Sequence, residues 1–143
     1  MRLAGIDLGR VRLGLALGID GVAVPFRVLQ RHGTRRDIAE LLPIFDKQGT
    51  EAVVVGLPPV QDDANAGTSG LARRFAQALA AATVRPVWLV DEADTTVEAN
   101  AELRALGMRA ARRRAEVDRH AAARIVDRFL GGAPAERVPP PAP

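Results

Sequence analysis

Residues 3–17 constrain the fold more than any other stretch, because two strand-like segments follow each other with almost nothing between them. Residues 3–8 are mostly apolar, and residues 11–17 alternate branched apolar side chains with small or polar ones. Such alternation is typical of a half-buried strand. Gly9 and Arg10 alone separate the two segments, which is the length of a tight hairpin connection. The sequence therefore predicts an antiparallel hairpin at the start of the chain.

Asp7 is an acidic residue inside the first of these strands, within the stretch GIDLG. A carboxylate in a buried strand needs a partner, because an isolated charge in a low-dielectric interior is very costly. A metal ion, the metal of a bound phosphate or a basic side chain would satisfy it. The alternative is that Asp7 accepts backbone hydrogen bonds in a turn, as Asp before a glycine-containing turn often does.

The rest of the chain predicts a mixed sheet covered by helices. Further strands are predicted over residues 22–29, 52–55 and 86–90, and helices over residues 34–48, 71–82, 95–107 and 115–130. Pro25 favours a sheet edge or a bulge for the third strand. Thr34 and Asp37 match a variant of the capping box at the first helix, and residues 61–70 are predicted to form a polar loop.

These elements predict an α/β fold with a five-stranded mixed sheet, in which three antiparallel strands precede parallel crossovers. The 143 residues suit one domain, predicted over residues 1–131. Residues 132–143 are predicted to form a flexible tail, because five prolines fall in the last thirteen residues.

Composition excludes several kinds of site. The chain has no cysteine, so disulfides, thiolate zinc sites and cysteine nucleophiles are all excluded. No apolar run is long enough to span a membrane, and the charged residues near the N-terminus do not fit a signal peptide. The expectation is a cytoplasmic protein that does not associate with membranes. All but one of its basic residues are arginine, which suits bidentate contacts with phosphate but also follows from GC-rich coding.

Carboxylates from distant parts of the chain form the candidate site. Asp91 and Glu92 end the last predicted strand, at the sheet edge where α/β proteins gather their sites. Asp118 shares one helical stripe with Ala122 and Ile125, so it is predicted to point toward the core. An ion pair with a nearby arginine is the alternative for Asp118. Together these oxygen ligands favour Mg²⁺ or Mn²⁺ over zinc.

An arginine cluster precedes Asp118, and two more arginines flank the first hairpin turn. These candidate nucleic-acid contacts are Arg10, Arg12, Arg109, Arg112, Arg113 and Arg114. The cluster is predicted to separate the last two helices as a lip that grips phosphate, and a solvated loop is the alternative. Base stacking is a poor explanation for any binding, because only 3% of the residues are aromatic.

Four stretches carry a family resemblance: GIDLGRVRLGLALG, VVVGLPP, VDEADTTVEA and the arginine-rich segment that leads to VDRHAAA. In this order they resemble the YqgF or RuvX family, which is similar to Holliday-junction resolvases and is regarded as maturing the small-subunit ribosomal RNA precursor. The resemblance implies a ribonuclease H-like three-layer α/β/α fold. It also implies a divalent-metal site of Asp7, Glu92 and Asp118, with Asp91 as a weaker candidate.

The sequence departs from the family pattern at two places. Ala93 stands where the family usually has an arginine after the Asp-Glu pair, and Asp62 and Asp63 stand where it often has Asp-Gly. The first departure removes one phosphate contact, which Arg10 or Arg12 could supply instead.

The function that follows is a metal-dependent nuclease acting on the precursor of 16S rRNA, with possible activity on branched or single-stranded DNA. A Holliday-junction resolvase in DNA recombination and repair is one alternative. An inactive nucleic-acid-binding or assembly module on the same fold is another, and an ATP-binding fragment of the actin-like kinase superfold is a third. A monomer and a homodimer both fit the sequence.

Overall fold

The computed structural model describes residues 1–58, 63–92, 107 and 110–142, and for residues 63–69 and 110–118 it describes the backbone alone. The elements in chain order are β1 (Arg2–Leu8), β2 (Arg12–Ile19), β3 (Val22–Gln30), α1 (Thr34–Gln48), β4 (Ala52–Leu57), α2 (Asp63–Ala82), β5 (Val87–Asp91), α3 (Ala110–Leu130) and β6 (Ala135–Val138).

The strands form one mixed sheet in the order β3-β2-β1-β4-β5-β6. Strands β1, β2 and β3 are antiparallel neighbours, as predicted, and β1, β4 and β5 run parallel. Strand β3 lies at the edge, and its pairing with β2 shifts register between Leu15 and Ala16, opposite the segment that contains Pro25. The prediction from Pro25 is therefore confirmed: β3 lies at the sheet edge and carries a bulge, and a proline is tolerated at either place.

The sheet has six strands, so the prediction of five strands is wrong. The sixth strand, β6, pairs antiparallel with β5 and lies in the segment predicted to be a flexible tail. Its prolines flank the strand at Pro134 and Pro139 and do not interrupt it. Val138 is buried and belongs to the larger core on the side of α1 and α2, so the strand contributes an apolar side chain to that core.

Helices cover both faces of the sheet and make three layers. Helices α1 and α2 pack against one face, where the larger core contains Ile6, Val55, Phe45 and Phe75. Helix α3 packs against the other face through small residues such as Ala122. Because side chains alternate along a strand, Leu3 and Ile6 of β1 lie on opposite faces and mark the two layers.

Two helices begin earlier than predicted. Helix α2 starts at Asp63, so most of the predicted polar loop over residues 61–70 is helical. Helix α3 starts at Ala110, so residues 112–114 of the arginine cluster lie on the helix. Residues 110–114 are all alanine or arginine, which are good helix formers, so α3 extends beyond its apolar stripe. Residues 63–70 are mostly poor helix formers, and they are helical because adding a residue to an existing helix costs less than starting one.

The predicted helix over residues 95–107 lies outside the described residues, except for Gly107. None of the helices in the described part of the chain is long and apolar enough to cross a membrane.

Candidate active site

Asp7 lies near the carboxyl end of β1, in the middle of the sheet. It pairs with Gly14 of β2, and its side chain is half-buried. Asp7 lies four residues after Leu3 on β1, so the two side chains point to the same face of the sheet. Leu3 packs under α3, so this is the α3 face. Gly14 is buried and adds no side chain beside Asp7.

Glu92 follows β5 directly and is 8% exposed, so it is a buried carboxylate. Its backbone N–H donates to the Leu57 carbonyl oxygen at 2.9 Å, which extends the ladder by one residue past the strand. A Cβ built on Gly56 of β4 would lie 2.9 Å from both Cγ and Cδ of Glu92. The same Cβ would lie 2.4 Å from Cδ1 of Ile125 on α3. Glu92 therefore lies over Gly56, on the α3 face.

Gly56 brings the Asp7 and Glu92 positions together. Ile6 of β1 pairs with Val55 of β4, and extending that register by one residue places Asp7 beside Gly56. Neighbouring strands are about 4.8 Å apart. The Glu92 side chain covers Gly56 and thus reaches from the end of β5 over β4, the strand next to β1, on the face of Asp7. The structure therefore places these two sequence-predicted carboxylates at neighbouring positions on one face of the sheet.

Asp91 is the neighbour of Glu92, and the strand period puts it on the opposite face. Asp91 shares the period of Val87 and Leu89, which pack in the α1 and α2 layer. It also lines an open cavity of about 240 Å³ together with Leu57 and Arg73. The structure therefore separates Asp91 from Asp7, while Glu92 shares the face of Asp7.

Position 118 lies on α3, as predicted, and its side chain is outside the described part of the chain. Ala122, one turn further along this helix, packs against β1: its carbonyl oxygen would lie 2.9 Å from a Cβ on Gly5. Gly5 is two residues before Asp7 on the same face. Of the arginine cluster, residue 109 is not described, and positions 112–114 are described only as backbone of α3.

Arg10 and Arg12 belong to the turn of residues 9–12, which joins β1 to β2. The Gly9 N–H donates to the Arg12 carbonyl oxygen at 2.8 Å and closes the turn. A Cβ on Gly9 would lie 2.7 Å from that oxygen, so the tight turn needs glycine there. Arg10 is exposed at the tip and Arg12 is half-buried at the start of β2.

A buried ion pair beneath this turn was missed by the sequence reasoning. Arg31 Nε donates to Asp37 Oδ2 at 2.5 Å, and the two side chains are 10% and 3% exposed. Arg31 Nη1 also donates to the Gly9 carbonyl oxygen at 2.8 Å. Asp37 is therefore not the second residue of a capping box with Thr34: the N-cap of α1 is Gly33, and no side chain caps the helix there.

A second arginine holds the other end of the site. Arg128 Nε, on α3, donates to the Asp91 carbonyl oxygen at 2.7 Å. This carbonyl belongs to the peptide that leads into Glu92. No sequence signal would have found either arginine, because each reaches a backbone carbonyl at least 22 residues away along the chain.

The chemistry of Asp7 and Glu92 fits a divalent cation. Both are carboxylates, the hard oxygen donors that Mg²⁺ and Mn²⁺ prefer, and a charge as buried as Glu92 is normally paired or bound to metal. Another group that could geometrically hold an ion in the described residues is His32, Asp37 and Glu40. There, however, both Asp37 oxygens already accept hydrogen bonds, one from Arg31 and one from the His32 N–H at 2.8 Å.

Comparison with solved structures identifies the class of fold. The chain resembles Thermus thermophilus RuvC in complex with a Holliday junction substrate, with a TM-score of 0.60 and 20% identity over 95% of this chain and 99% of that chain. A second Thermus thermophilus RuvC structure gives a TM-score of 0.51. The fold is thus the RuvC type of the ribonuclease H-like α/β fold, as predicted.

Comparison of sequences identifies the family. The chain is 42% identical over 135 residues to a protein of Anaeromyxobacter sp. strain Fw109-5, covering 92% of this chain and 98% of that one. It is 36% identical over 141 residues to a protein of Nitratidesulfovibrio vulgaris, covering 97% and 99%. Both relatives are provisionally named as pre-16S rRNA nucleases. The model of the family described as "RuvX: Holliday junction resolvase" matches residues 1–132, so the chain belongs to the RuvX family.

Proposed function

We propose that this protein is a metal-dependent nuclease that hydrolyses phosphodiester bonds in the precursor of 16S rRNA. One observation carries the proposal: Gly56 leaves the space in which the buried Glu92 carboxylate lies beside the Asp7 position, on one face of the sheet. The names of the relatives supply the substrate, because two of them are provisionally named for that precursor.

Asp7, Glu92 and Asp118 are the proposed ligands of a divalent ion, Mg²⁺ or Mn²⁺. When bound, such an ion supplies a Lewis acid for phosphodiester hydrolysis. In that reaction the oxygen of a water bonds to phosphorus, one phosphorus–oxygen ester bond breaks and the leaving oxygen takes up a proton. Asp7 and Glu92 concentrate negative charge at the end of the sheet. Ala122 packs at Gly5, and position 118 is one helical turn before it on α3, which supports Asp118 as the third ligand.

Arginines around this site are proposed to hold the nucleic-acid backbone. Arg10 is exposed at the tip of the turn that follows β1, three residues from Asp7. Arginine offers a planar fork that matches phosphate oxygens. Arg12 and the arginines at positions 109 and 112–114 are further candidates. Arg10 or Arg12 would supply the phosphate contact that Ala93 lacks. The proposed location is the cytoplasm.

The experiment that tests this function compares three proteins on two substrates. Purified wild-type protein, Asp7→Asn and Asp20→Asn are incubated with labelled 16S rRNA precursor and with a four-way DNA junction, with Mn²⁺, Mg²⁺ or EDTA. Asp20 is the matched control, because it lies in the other hairpin turn at φ 51°, a conformation that asparagine tolerates. The expected result is metal-dependent cleavage of the RNA by wild type and Asp20→Asn and none by Asp7→Asn.

The other outcomes separate the alternatives. Cleavage of the four-way junction in preference to RNA would favour a Holliday-junction resolvase, the activity in the family description. Tight RNA binding without cleavage in any metal would favour an inactive nucleic-acid-binding module. Equal cleavage by wild type and Asp7→Asn would remove Asp7 from the mechanism.

A further inference from the structure

Arg31 holds the turn of residues 9–12 by two bonds of different kinds. Its backbone N–H donates to the Val11 carbonyl oxygen at 2.9 Å, and its side-chain Nη1 donates to the Gly9 carbonyl oxygen at 2.8 Å. The Gly9 carbonyl belongs to the peptide that precedes Arg10. Fixing this peptide fixes the direction in which Arg10 leaves the sheet.

The Arg31 side chain is itself held rigidly. Its Nε donates to Asp37 on α1, and its guanidinium lies 5.7 Å from the centre of the Phe75 ring on α2. The side chain is only 10% exposed. A guanidinium can donate to Asp37 and Gly9 at once because its donors form a planar fork, which a lysine ammonium does not reproduce.

The position of Asp7, unlike that of Arg10, does not depend on the bond from Arg31 to the Gly9 carbonyl oxygen. It is inside the antiparallel ladder, where it pairs with Gly14, and the preceding residue Ile6 pairs with β4. The tip of the turn lies beyond both ladders. Losing the Arg31 bond to Gly9 should therefore move Arg10 and leave Asp7 in place.

We propose that Arg31 is a positioning residue for nucleic-acid binding: through the Gly9 carbonyl it aims Arg10 at a phosphate of the bound strand. This inference rests on the proposed function, because it assumes that the site binds nucleic acid. It assigns to Arg31 a role in affinity for the substrate and none in the hydrolytic step.

The test measures binding of labelled 16S precursor RNA in EDTA, where cleavage is blocked, at several KCl concentrations. Arg31→Lys keeps the net charge, so a merely structural role predicts no change in salt dependence. The inference predicts that the slope of log affinity against log salt concentration falls by about one unit, as for loss of one phosphate contact. Arg10→Ala should give the same fall, and the double variant should fall no further.

Two controls separate positioning from loss of stability. Arg36→Lys, at an exposed position of α1, also keeps the net charge, so its slope should equal that of wild type. Hydrogen exchange by NMR should show faster exchange of the Gly9 amide in Arg31→Lys, with the amides of β1 unchanged. A fall in slope for Arg31→Lys with an unchanged exchange rate at Gly9 would overturn the inference, because Arg31 would then affect binding without acting through the turn.

The failures of the two proposals can be told apart. If wild type binds the RNA and Arg31→Lys binds it with the same slope, this inference fails and the proposed function stands. If wild type binds no RNA at any salt concentration and cleaves none with Mn²⁺ or Mg²⁺, both fail.

Discussion

The two ends of the candidate active site are each held by an arginine that donates to a backbone carbonyl, but from opposite sides of the sheet. Arg31 holds Gly9 from the layer of α1 and α2, where Asp37 neutralises it. Arg128 holds the Asp91 carbonyl from α3, the helix that also carries position 118. The turn after β1 is thus fixed by the larger core, whereas the segment that carries Glu92 is tied to the covering helix.

The two ends should respond differently to substitution, because the ion pairs near them differ in their exposure to water. The Arg31–Asp37 pair is nearly inaccessible to water, and breaking it leaves a buried charge without its partner. Near the β5 end, Arg73 pairs with Glu136 of β6, and these side chains are 44% and 57% exposed. Water can solvate that pair when it is broken. The turn should therefore be costly to disturb, and the β5 end should be tolerant.

The largest expected effect is on stability. Asp37→Ala should lower the free energy of unfolding by about 3–5 kcal/mol, because it leaves Arg31 buried without a counter-charge. Glu136→Ala should change it by about 1 kcal/mol or less, as for other exposed ion pairs. Urea unfolding followed by circular dichroism measures both. Equal losses in the two variants would break the comparison.

A smaller effect is expected at Gly56, under Glu92. Gly56→Ala puts a methyl group against Glu92 and Ile125, and such overpacking costs about 1–3 kcal/mol of stability. Because Glu92 must move, cleavage activity should fall further than stability explains. Gly18→Ala is the matched control: its Cβ would lie 3.0 Å from Cγ1 of Val126 on the same helix, away from Glu92.

The outcome for Gly56 is measured as the initial rate of RNA cleavage at a temperature where both alanine variants are fully folded. Gly18→Ala should keep nearly the wild-type rate. If both variants lose the same fraction of activity, the close contact of Gly56 with Glu92 does not matter for cleavage.

The smallest expected effect concerns Arg128. Arg128→Ala removes the bond to the Asp91 carbonyl, but the Glu92 N–H still donates to Leu57. Glu92 should therefore shift by only a fraction of an ångström. This shift should lower the cleavage rate by about 5-fold, which is less than the 100-fold that a 1 Å misplacement can cost. Asp127→Ala, at the exposed neighbouring position, is the control and should cleave at the wild-type rate. A loss greater than that of Gly56→Ala would reverse the order of these predictions.

The early hairpin and the strands that follow it could be predicted, because they depend on periods within single segments. A strand that alternates with a period of two fixes which residues share a face, and Leu3 and Asp7 do. The preference for Glu92 over Asp91 came from the family resemblance, and the registers of β4 and β5 add a physical ground for it, because Gly56 lies beneath Glu92.

The Arg31–Asp37 pair and strand β6 could not be predicted, because they depend on contacts between different segments of the chain. Asp37 has the spacing of a capping residue, yet it pairs with Arg31 because the ends of β3 and α1 meet beneath the first turn. Strand β6 has too few apolar residues to be recognised alone, and it forms because β5 offers an unpaired edge.

The most direct test of the central claim, that Asp7 and Glu92 form one metal site, is a double-mutant cycle of Mn²⁺ affinity measured by titration calorimetry. Asp7→Asn and Glu92→Gln are each predicted to weaken binding by at least about 10-fold, the loss that even an outer-shell partner can cause. The double variant should lose much less than the product of the two single losses, because ligands of one ion are coupled. Wild-type affinity in either single variant, or fully independent losses, would contradict the account.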